Sequence, residues 1–146
     1  MTTDGEVFTE IILEVFKVSG LLNIEGDKIS EEFGLSSARW KVMGAIVKSN
    51  EPVTVSEIGR VMGQSRQATQ RVVDVMAKDG LVEMLDNPHH KRAKLVALTG
   101  KGAVVYEKLD KKQATWAESG AQQIQRDELD KALITLKKMA TFLEVK

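Results

Sequence analysis

The two histidines of the chain, His89 and His90, are adjacent, and Lys91 and Arg92 follow them directly. Neighbouring histidines can ligate a metal ion, transfer protons in catalysis, or lie in a polar turn beside an anion. Zinc sites normally take three or four protein ligands. This chain has no cysteine and no third histidine. We therefore expect no metal site and no cofactor, and we interpret LDNPHHKRA, residues 85–93, as a polar turn.

The rest of the chain lacks the sequence patterns of an enzyme. It contains no nucleophile elbow, no phosphate-binding glycine loop and no HExxH arrangement. A mechanism that used the histidines would be confined to an exposed turn without a pocket that excludes water. The scattered serines and threonines are better explained as helix caps. We expect that the protein is not an enzyme.

Composition predicts a cytoplasmic globular protein. The 146 residues are 42% hydrophobic, which is too high for a disordered chain. No stretch approaches the roughly 18 consecutive apolar residues that a membrane span needs. The N-terminus is acidic where a signal peptide would be basic. We therefore expect no secretion and no membrane partner.

The spacing of apolar residues predicts a mainly helical chain. Residues 6–18 carry apolar side chains at three- and four-residue intervals, which is typical of an amphipathic helix. The acidic segment that follows is predicted to be a connector ending at Gly34. A second helix is predicted to begin at the Ser36–Ser37 pair and to stop before Pro52, which lacks a backbone donor.

Two short helices joined by a tight turn are predicted next. Thr54 and Glu57 have the spacing of a capping box, so they should open a helix that Gly63 ends. Ser65 is positioned to cap a further helix, which should end at Gly80. The inward face of this helix is predicted to consist of four apolar residues, Ala68, Val72, Val75 and Met76.

Beyond Gly80 the pattern changes to short strands. Residues 81–85 and 93–98 are rich in valine and leucine, and they flank the polar turn, so they predict a β-hairpin. A helix from Thr99 to about residue 125 and a final amphipathic helix over residues 129–143 complete the chain. Two short helices followed by a hairpin form a winged helix-turn-helix.

This arrangement favours binding to DNA. A helix about 10 Å across fits the major groove, and a thin hairpin can reach the adjacent minor groove. The net charge is zero, yet residues 60–101 carry eight bases and four acids, whereas residues 1–35 carry two bases and eight acids. The predicted exposed face of the second short helix has no acid: Arg66, Gln67, Thr69, Gln70 and Arg71. An ordinary solvated face is the alternative interpretation, although such a face usually mixes acids with bases.

At this point the sequence resembles the MarR (multiple-antibiotic-resistance regulator) family of transcription factors. Four pieces in order carry the resemblance: the serine-started helix with Arg71, KDGLV at 78–82, the Asn87–Pro88 turn with its two bases, and LTGKG at 98–102. The resemblance is close over residues 35–102. It implies a homodimer whose terminal helices form the interface. In this division, residues 1–34 form the N-terminal dimerisation helix and connector, residues 35–98 form the DNA-binding domain, and residues 99–146 form the C-terminal dimerisation helices. Independently of the resemblance, the apolar stripes of the two terminal helices must be buried. They could pack on each other within one chain, but we favour burial against a second copy, because a two-fold axis would present two recognition helices to a palindrome.

The resemblance also implies roles for the wing and for an effector. The arginine that matches Arg92 enters the minor groove in this family, and an aspartate two residues earlier helps to hold it. Here that position is His90, which cannot form the same charge pair when neutral. A small phenolic or lipophilic effector is implied between the dimer helices and the winged domain, with candidate contacts Phe8, Ile12, Phe16, Trp40, Met43 and Trp116.

We expect a homodimeric regulator, a repressor that its effector releases, bound to double-stranded DNA at a pseudo-palindromic operator. Base edges are assigned to four residues, Arg66, Gln67, Gln70 and Arg71. We expect contacts with the DNA backbone from Ser65, Thr69, Lys91 and Lys94, and a contact in the minor groove from Arg92. The alternative is a winged-helix module for protein–protein assembly, in which the second helix is usually apolar or acidic.

Overall fold

Helices make up most of the computed structural model, which describes residues 1–144, and a small sheet supplies the wing. The elements are α1 (Asp4–Ser30), α2 (Ser37–Ser49), β1 (Val53–Thr54), α3 (Val55–Met62), α4 (Arg66–Lys78), β2 (Val82–Leu85), β3 (Leu95–Leu98), α5 (Gly100–Ala121) and α6 (Arg126–Glu144). The predicted fold class, mainly α with a β-hairpin wing, is confirmed. The chain divides into two compact units, residues 1–110 and the residues from 111 onwards. No helix in the described part of the chain combines the length and apolar character that a bilayer crossing demands.

The first helix is longer than predicted. The acidic segment after residue 18 is helical through Ser30 and continues as a 3₁₀ turn over Glu31–Phe33. Tertiary hydrogen bonds explain the extension: the Asp27 carboxylate accepts from the Ser37 backbone N–H at 2.7 Å, and the Ser37 hydroxyl donates to the Asn23 carbonyl at 2.6 Å. Asp27 thus supplies a negative charge at the N-terminus of α2, where the helix dipole favours an anion. The predicted connector is wrong.

The predicted caps are confirmed. Thr54 and Glu57 form a reciprocal capping box, in which the Thr54 hydroxyl accepts from the Glu57 N–H at 3.2 Å and Glu57 Oε1 accepts from the Thr54 N–H at 3.1 Å. Ser36 and Ser65 also cap α2 and α4, but only through their hydroxyls, which accept the backbone N–H groups of Arg39 and Ala68. Gly63 ends α3 with a φ of +67°, a left-handed conformation that glycine adopts without steric cost.

The sheet has a third strand that the sequence did not predict. The order is β1–β3–β2, and both pairs are antiparallel. Val53 pairs with Val96, and Val82 pairs with Leu98, so β3 is the central strand. β1 has only two residues and directly follows Pro52, which hides it from a search for alternating strands.

The core of the first unit lies under the winged helix-turn-helix. Side chains from four helices and the central strand are fully buried there: Val42, Met43, Ile58, Val73, Met76, Val96 and Leu109. The buried face of α4 is rotated from the predicted one. Thr69, Val73 and Met76 are buried at i, i+4 and i+7, whereas Val75 is 47% exposed. Val75 lies about 100° around the helix from Met76. The buried stripe of α4 is narrow enough to include Met76 and leave Val75 exposed.

Close packing against the backbone requires glycine at position 102, the second glycine of the LTGKG segment. A Cβ on Gly102 would clash with the backbone carbonyl of Leu81, so a side chain there would force the backbone to move. The start of α5 therefore passes directly over the start of the wing. Thr99 strengthens this junction, because its N–H donates to the Leu81 carbonyl at 3.1 Å and its hydroxyl accepts from the Gly102 N–H at 3.0 Å.

We expect Gly102→Ala to lower the free energy of unfolding by about 2 kcal/mol or more, because the backbone at Leu81 must move. Gly120→Ala is the matched control in the same helix. No atom lies within 4 Å of a Cβ at Gly120, so this change should be neutral or should stabilise by up to about 1 kcal/mol. Urea denaturation of both variants at one protein concentration measures the difference, and equal midpoints would contradict the packing explanation.

Candidate nucleic-acid interface

A close helix crossing fixes the orientation of α4. A Cβ on Gly59 in α3 would lie 2.9 Å from the Gln64 carbonyl oxygen and 3.0 Å from the Thr69 hydroxyl oxygen. The Gln64 N–H donates to the Gly59 carbonyl at 2.8 Å. A side chain at Gly59 would therefore displace the turn or Thr69, so the two helices pack closely at this position. The turn is therefore tight, as a helix-turn-helix requires.

Thr69 does not belong to the exposed face to which it was assigned. Its side chain is fully buried, and its hydroxyl donates to the Ser65 carbonyl at 2.9 Å. The prediction that it contacts the DNA backbone is wrong. A hydroxyl one turn after the cap can satisfy a backbone carbonyl locally, which lets threonine lie against the α3–α4 crossing at little cost. The helical period alone does not distinguish this from an exposed threonine.

Four of the predicted DNA contacts meet in one cleft. Arg66 and Gln70 from the first two turns of α4 face Arg92 and Lys94 from the wing, across a cavity of about 240 Å³ that Ser56 also lines. The cleft has three cationic side chains and no carboxylate among its lining residues. A phosphate or an electronegative base edge would therefore meet positive charge from both the helix and the wing.

The other predicted contacts lie outside this cleft. Gln67 and Arg71 are exposed on α4, and Lys91 is exposed on the wing. Ser65 caps α4 by accepting the Ala68 N–H at 3.1 Å, which leaves its hydroxyl hydrogen able to donate to a phosphate. A helix in the major groove contacts DNA over more than one side of its exposed face, so these positions are compatible with their predicted roles.

The exposed face of α4 includes an acid, Asp74, although the sequence predicted a face without acids. Asp74 is exposed one turn after Gln70, and its Oδ1 accepts from Gln70 Nε2 at 2.8 Å. The i,i+4 spacing of the two residues was a visible signal for this contact.

The wing carries a second acid, Asp86, whose Oδ1 lies 3.7 Å from Lys94 Nζ. Both groups are exposed, so we assign the ion pair little stability.

The tip of the wing is held by side-chain and backbone hydrogen bonds. The Asn87 side-chain oxygen accepts from the His89 N–H at 3.0 Å, and its carbonyl accepts from the His90 N–H at 3.2 Å. His90 Nδ1 in turn accepts from the Ala93 N–H at 3.3 Å. His90 therefore fastens the backbone directly after Arg92, by a bond that requires Nδ1 to be unprotonated.

No group of three histidine, cysteine or carboxylate side chains within residues 1–144 could hold a metal ion. In the turn, the two histidines donate their backbone N–H groups to Asn87, and the His90 ring accepts from Ala93.

Comparison with known proteins connects this geometry to a family. A family model described as the MarR family matches residues 33–93. The multiple antibiotic resistance protein MarR of Escherichia coli is 30% identical over 111 residues, which cover 73% of this chain and 76% of that protein. The chain belongs to the MarR family. Members of the family are DNA-binding transcription regulators rather than enzymes, so the predictions of family and of a non-enzymatic role are confirmed.

Solved structures of other family members share the fold. A MarR/EmrR family regulator from Acinetobacter superposes with a TM-score of 0.84 at 18% identity, over 96% of this chain and 99% of that one. A mutant of E. coli MarR complexed with operator DNA gives 0.69 at 27% identity, over 90% and 96%. CouR from Rhodococcus jostii, bound to p-coumaroyl-CoA, gives 0.79 at 21% identity, over 89% and 91%.

The residues predicted to contact an effector have unequal surroundings. Met43 is fully buried in the core of the winged unit, so it is not available to a ligand without rearrangement of that core. Ile12 and Trp40 are partly buried, and Trp40 packs against the core. Phe8 is 38% exposed, Phe16 is 70% exposed and Trp116 is 37% exposed.

A half-buried tyrosine near α2, Tyr106, was not among the residues that the sequence singled out. The pKa of Tyr106 is raised, mainly by burial and secondly by the neighbouring Asp110 carboxylate. The Tyr106 hydroxyl lies 3.8 Å from the position of a Cβ on Gly44. A tyrosine is already neutral at physiological pH, and the raised pKa moves its deprotonation further from that range.

We expect His90→Ala to loosen the wing tip, because the Ala93 N–H loses its acceptor. Amide hydrogen exchange at Ala93 should accelerate by roughly three- to tenfold, since one hydrogen bond contributes about 1 kcal/mol. His89→Ala is the neighbouring control, and it removes no acceptor from Ala93. Equal exchange rates at Ala93 in both variants would show that the His90 ring does not hold the wing.

Proposed function

We propose that this MarR-family protein is a homodimeric repressor that binds a pseudo-palindromic operator and is released by a small effector. The observation that carries the DNA-binding part is the cleft in which Arg66 and Gln70 of α4 face Arg92 and Lys94 of the wing. Contacts to base edges and contacts to phosphates would then be made by one rigid surface. The E. coli relative in complex with operator DNA supports the same use of the fold.

In the proposed complex α4 occupies the major groove. Arginine donates two hydrogen bonds to guanine, and glutamine matches the donor and acceptor of adenine, so Arg66, Gln70 and Arg71 suit the reading of base edges. Lys94 and Ser65 supply the positive charge and the hydroxyl donor that suit phosphates. Arg92 extends from the tip of the wing toward the minor groove, where a narrow A·T tract concentrates negative potential.

Electrostatics supply most of the affinity in this proposal. Each phosphate that a lysine or arginine neutralises releases counterions, so binding weakens linearly with the logarithm of salt concentration. The interface gathers its cations locally, although the whole chain has a net charge of zero. Binding should consequently depend steeply on salt even though the protein is not basic overall.

We expect Arg92→Ala to weaken binding to an operator duplex at least about fivefold and to reduce the magnitude of the salt slope by about one unit per protomer. Fluorescence anisotropy with a labelled duplex between 50 and 200 mM salt, about the range over which phosphate contacts lose most affinity, measures both quantities.

Arg126→Ala on α6 is the matched control for Arg92→Ala. Arg126 is 86% exposed and pairs with Asp130 at 3.0 Å, far along the chain from the proposed interface. It should leave both the affinity and the slope unchanged. If Arg92→Ala behaved like this control, the wing would have no role in binding.

The homodimer is supported by apolar side chains that the two terminal helices expose. Leu13, Phe16, Leu21 and Ile24 of α1 are each 56–70% exposed. On α6, Leu133, Ile134 and Leu143 are each 53–55% exposed. Exposed apolar residues in such number on a small protein indicate an interface rather than solvent-facing surface. A two-fold axis would present two α4 helices to successive major grooves of a palindrome.

We expect Phe16→Asp to dissociate the dimer, because a carboxylate would be buried there without a partner. Light scattering after size exclusion should shift from the dimer mass to the monomer mass of 16.1 kDa. Phe16→Leu keeps an apolar side chain at the same position and should remain dimeric. A monomeric parent protein would refute the homodimer itself.

The effector is proposed to be a small phenolic or lipophilic molecule bound between the dimer helices and the winged domain. CouR, a structural neighbour, binds p-coumaroyl-CoA, a phenolic thioester, which supports this class of ligand. Ile12 and Trp40 are the best placed of the predicted contacts because each is partly buried. A ligand that favours a different spacing of the α4 helices would lower affinity for the operator.

A further inference from the structure

We propose that Asp74 is a positioning residue that fixes the amide of Gln70 and so determines which base Gln70 accepts. The inference rests on the proposed function, because it concerns how the same surface distinguishes one operator sequence from another. Asp74 itself would not need to touch DNA. Its effect on base preference would pass through one hydrogen bond to the Gln70 side chain.

The geometry places the pair at the edge of the cleft. Gln70 lines the cleft beside Arg66 and Arg92 and is partly buried, while Asp74 lies one helical turn further along α4 and is exposed. Gln70 Nε2 lies 2.8 Å from Asp74 Oδ1, a short distance for a hydrogen bond from a neutral donor to a carboxylate.

The chemistry of a carboxylate decides how the Gln70 amide must face. An ionised carboxylate only accepts hydrogen bonds, whereas an amide has a donor side and an acceptor side. If the amide of Gln70 were flipped, two acceptor oxygens would oppose each other at hydrogen-bonding distance. Asp74 therefore selects the orientation with Nε2 toward itself, which leaves Oε1 and one N–H of Gln70 for DNA.

That remaining pair of groups matches one purine and not the other. Adenine presents an N6 donor and an N7 acceptor in the major groove, which Oε1 and the free N–H of Gln70 complement. Guanine presents two acceptors, O6 and N7, so the fixed Oε1 would face an acceptor. A glutamine free to rotate could donate to guanine with its amide nitrogen, but Asp74 already takes one of the two hydrogens. The pair should therefore favour adenine and disfavour guanine.

An ordinary structural role for the pair is the competing explanation. Glutamine and aspartate four residues apart also stabilise a helix, and removing an acid near DNA raises affinity for any sequence. Neither effect changes the preference for a base at one position. Base preference is therefore the readout that separates positioning from stability and from charge.

The test is selection of binding sites from a randomised duplex library by the parent protein and three variants. Asp74→Asn keeps the size of the side chain but can both donate and accept, so Gln70 becomes free to flip. Gln70→Ala removes the base contact. Glu83→Gln is the control for charge, since Glu83 is exposed on β2 in the wing and Met84, its neighbour on the opposite face, lines the cleft.

We expect the parent to enrich adenine at one position in each half-site. Asp74→Asn should raise the guanine-to-adenine ratio at that position by about tenfold, the discrimination that one bidentate contact supplies, and should leave the other positions unchanged. Gln70→Ala should lose the preference there, and Glu83→Gln should keep the parent profile.

Two results would overturn the inference while leaving the proposed function intact: an unchanged profile for Asp74→Asn, or a parent profile retained by Gln70→Ala. A change spread evenly over all positions would also count against positioning and would indicate a charge effect. If the parent enriched no sequence, the proposed function would fail and the inference with it.

Discussion

The pairing of β1 with β3 joins the two parts of the proposed DNA-binding surface. Val53 and Thr54 pair with Val96 and Leu95, and Thr54 is also the residue that caps α3. The base of the wing is thereby tied to the start of the helix-turn-helix. Since α3 holds α4 through the close crossing at Gly59, the position of the wing relative to α4 follows from two short-range constraints. The two-residue strand adds a third strand to the hairpin, and a two-stranded hairpin alone is only marginally stable.

Acidic residues serve the interface mainly by supporting other groups. Asp27 accepts the Ser37 N–H at the start of α2, and Asp79 pairs with Arg39 at 2.9 Å near the end of α4. Two acids lie beside the cleft: Asp74 contacts Gln70, and Asp86 lies 3.7 Å from Lys94. A protein with no net charge can thus present a basic surface because the lining of the cleft contains three cationic side chains and no carboxylate. The formal net charge alone would have argued against a polyanionic partner.

The features of the fold that the sequence predicted are those that depend on local chemistry. The capping box of Thr54, the Ser65 cap and the left-handed Gly63 each involve residues a few positions apart, so their spacing is sufficient to identify them. The extension of α1 could not be predicted in this way, because it depends on Asp27 meeting Ser37 in three dimensions. β1 was missed because two residues give no alternating pattern.

The candidate site shows the same division. Arg66, Gln70, Arg92 and Lys94 were predicted from residue type and from the resemblance to the family, and the structure brings them to one cleft. Thr69 was misplaced because the buried stripe of α4 is rotated by one residue from the predicted one. Where polar and apolar residues alternate closely, the helical spacing does not show which of two neighbouring stripes is buried. The role of His90 in the wing depends on a backbone contact three residues away, which residue types do not reveal.

The central claim is that α4 and the wing of one protomer engage adjacent grooves of the same duplex. Hydroxyl-radical footprinting of the parent protein on its selected operator, combined with dimethyl sulfate protection, tests this claim most directly. We predict that guanine N7 is protected in the major groove at each half-site and that sugars are protected across the minor groove immediately outside it. Protection in only one groove, or none that exceeds that on a random duplex, would contradict the account.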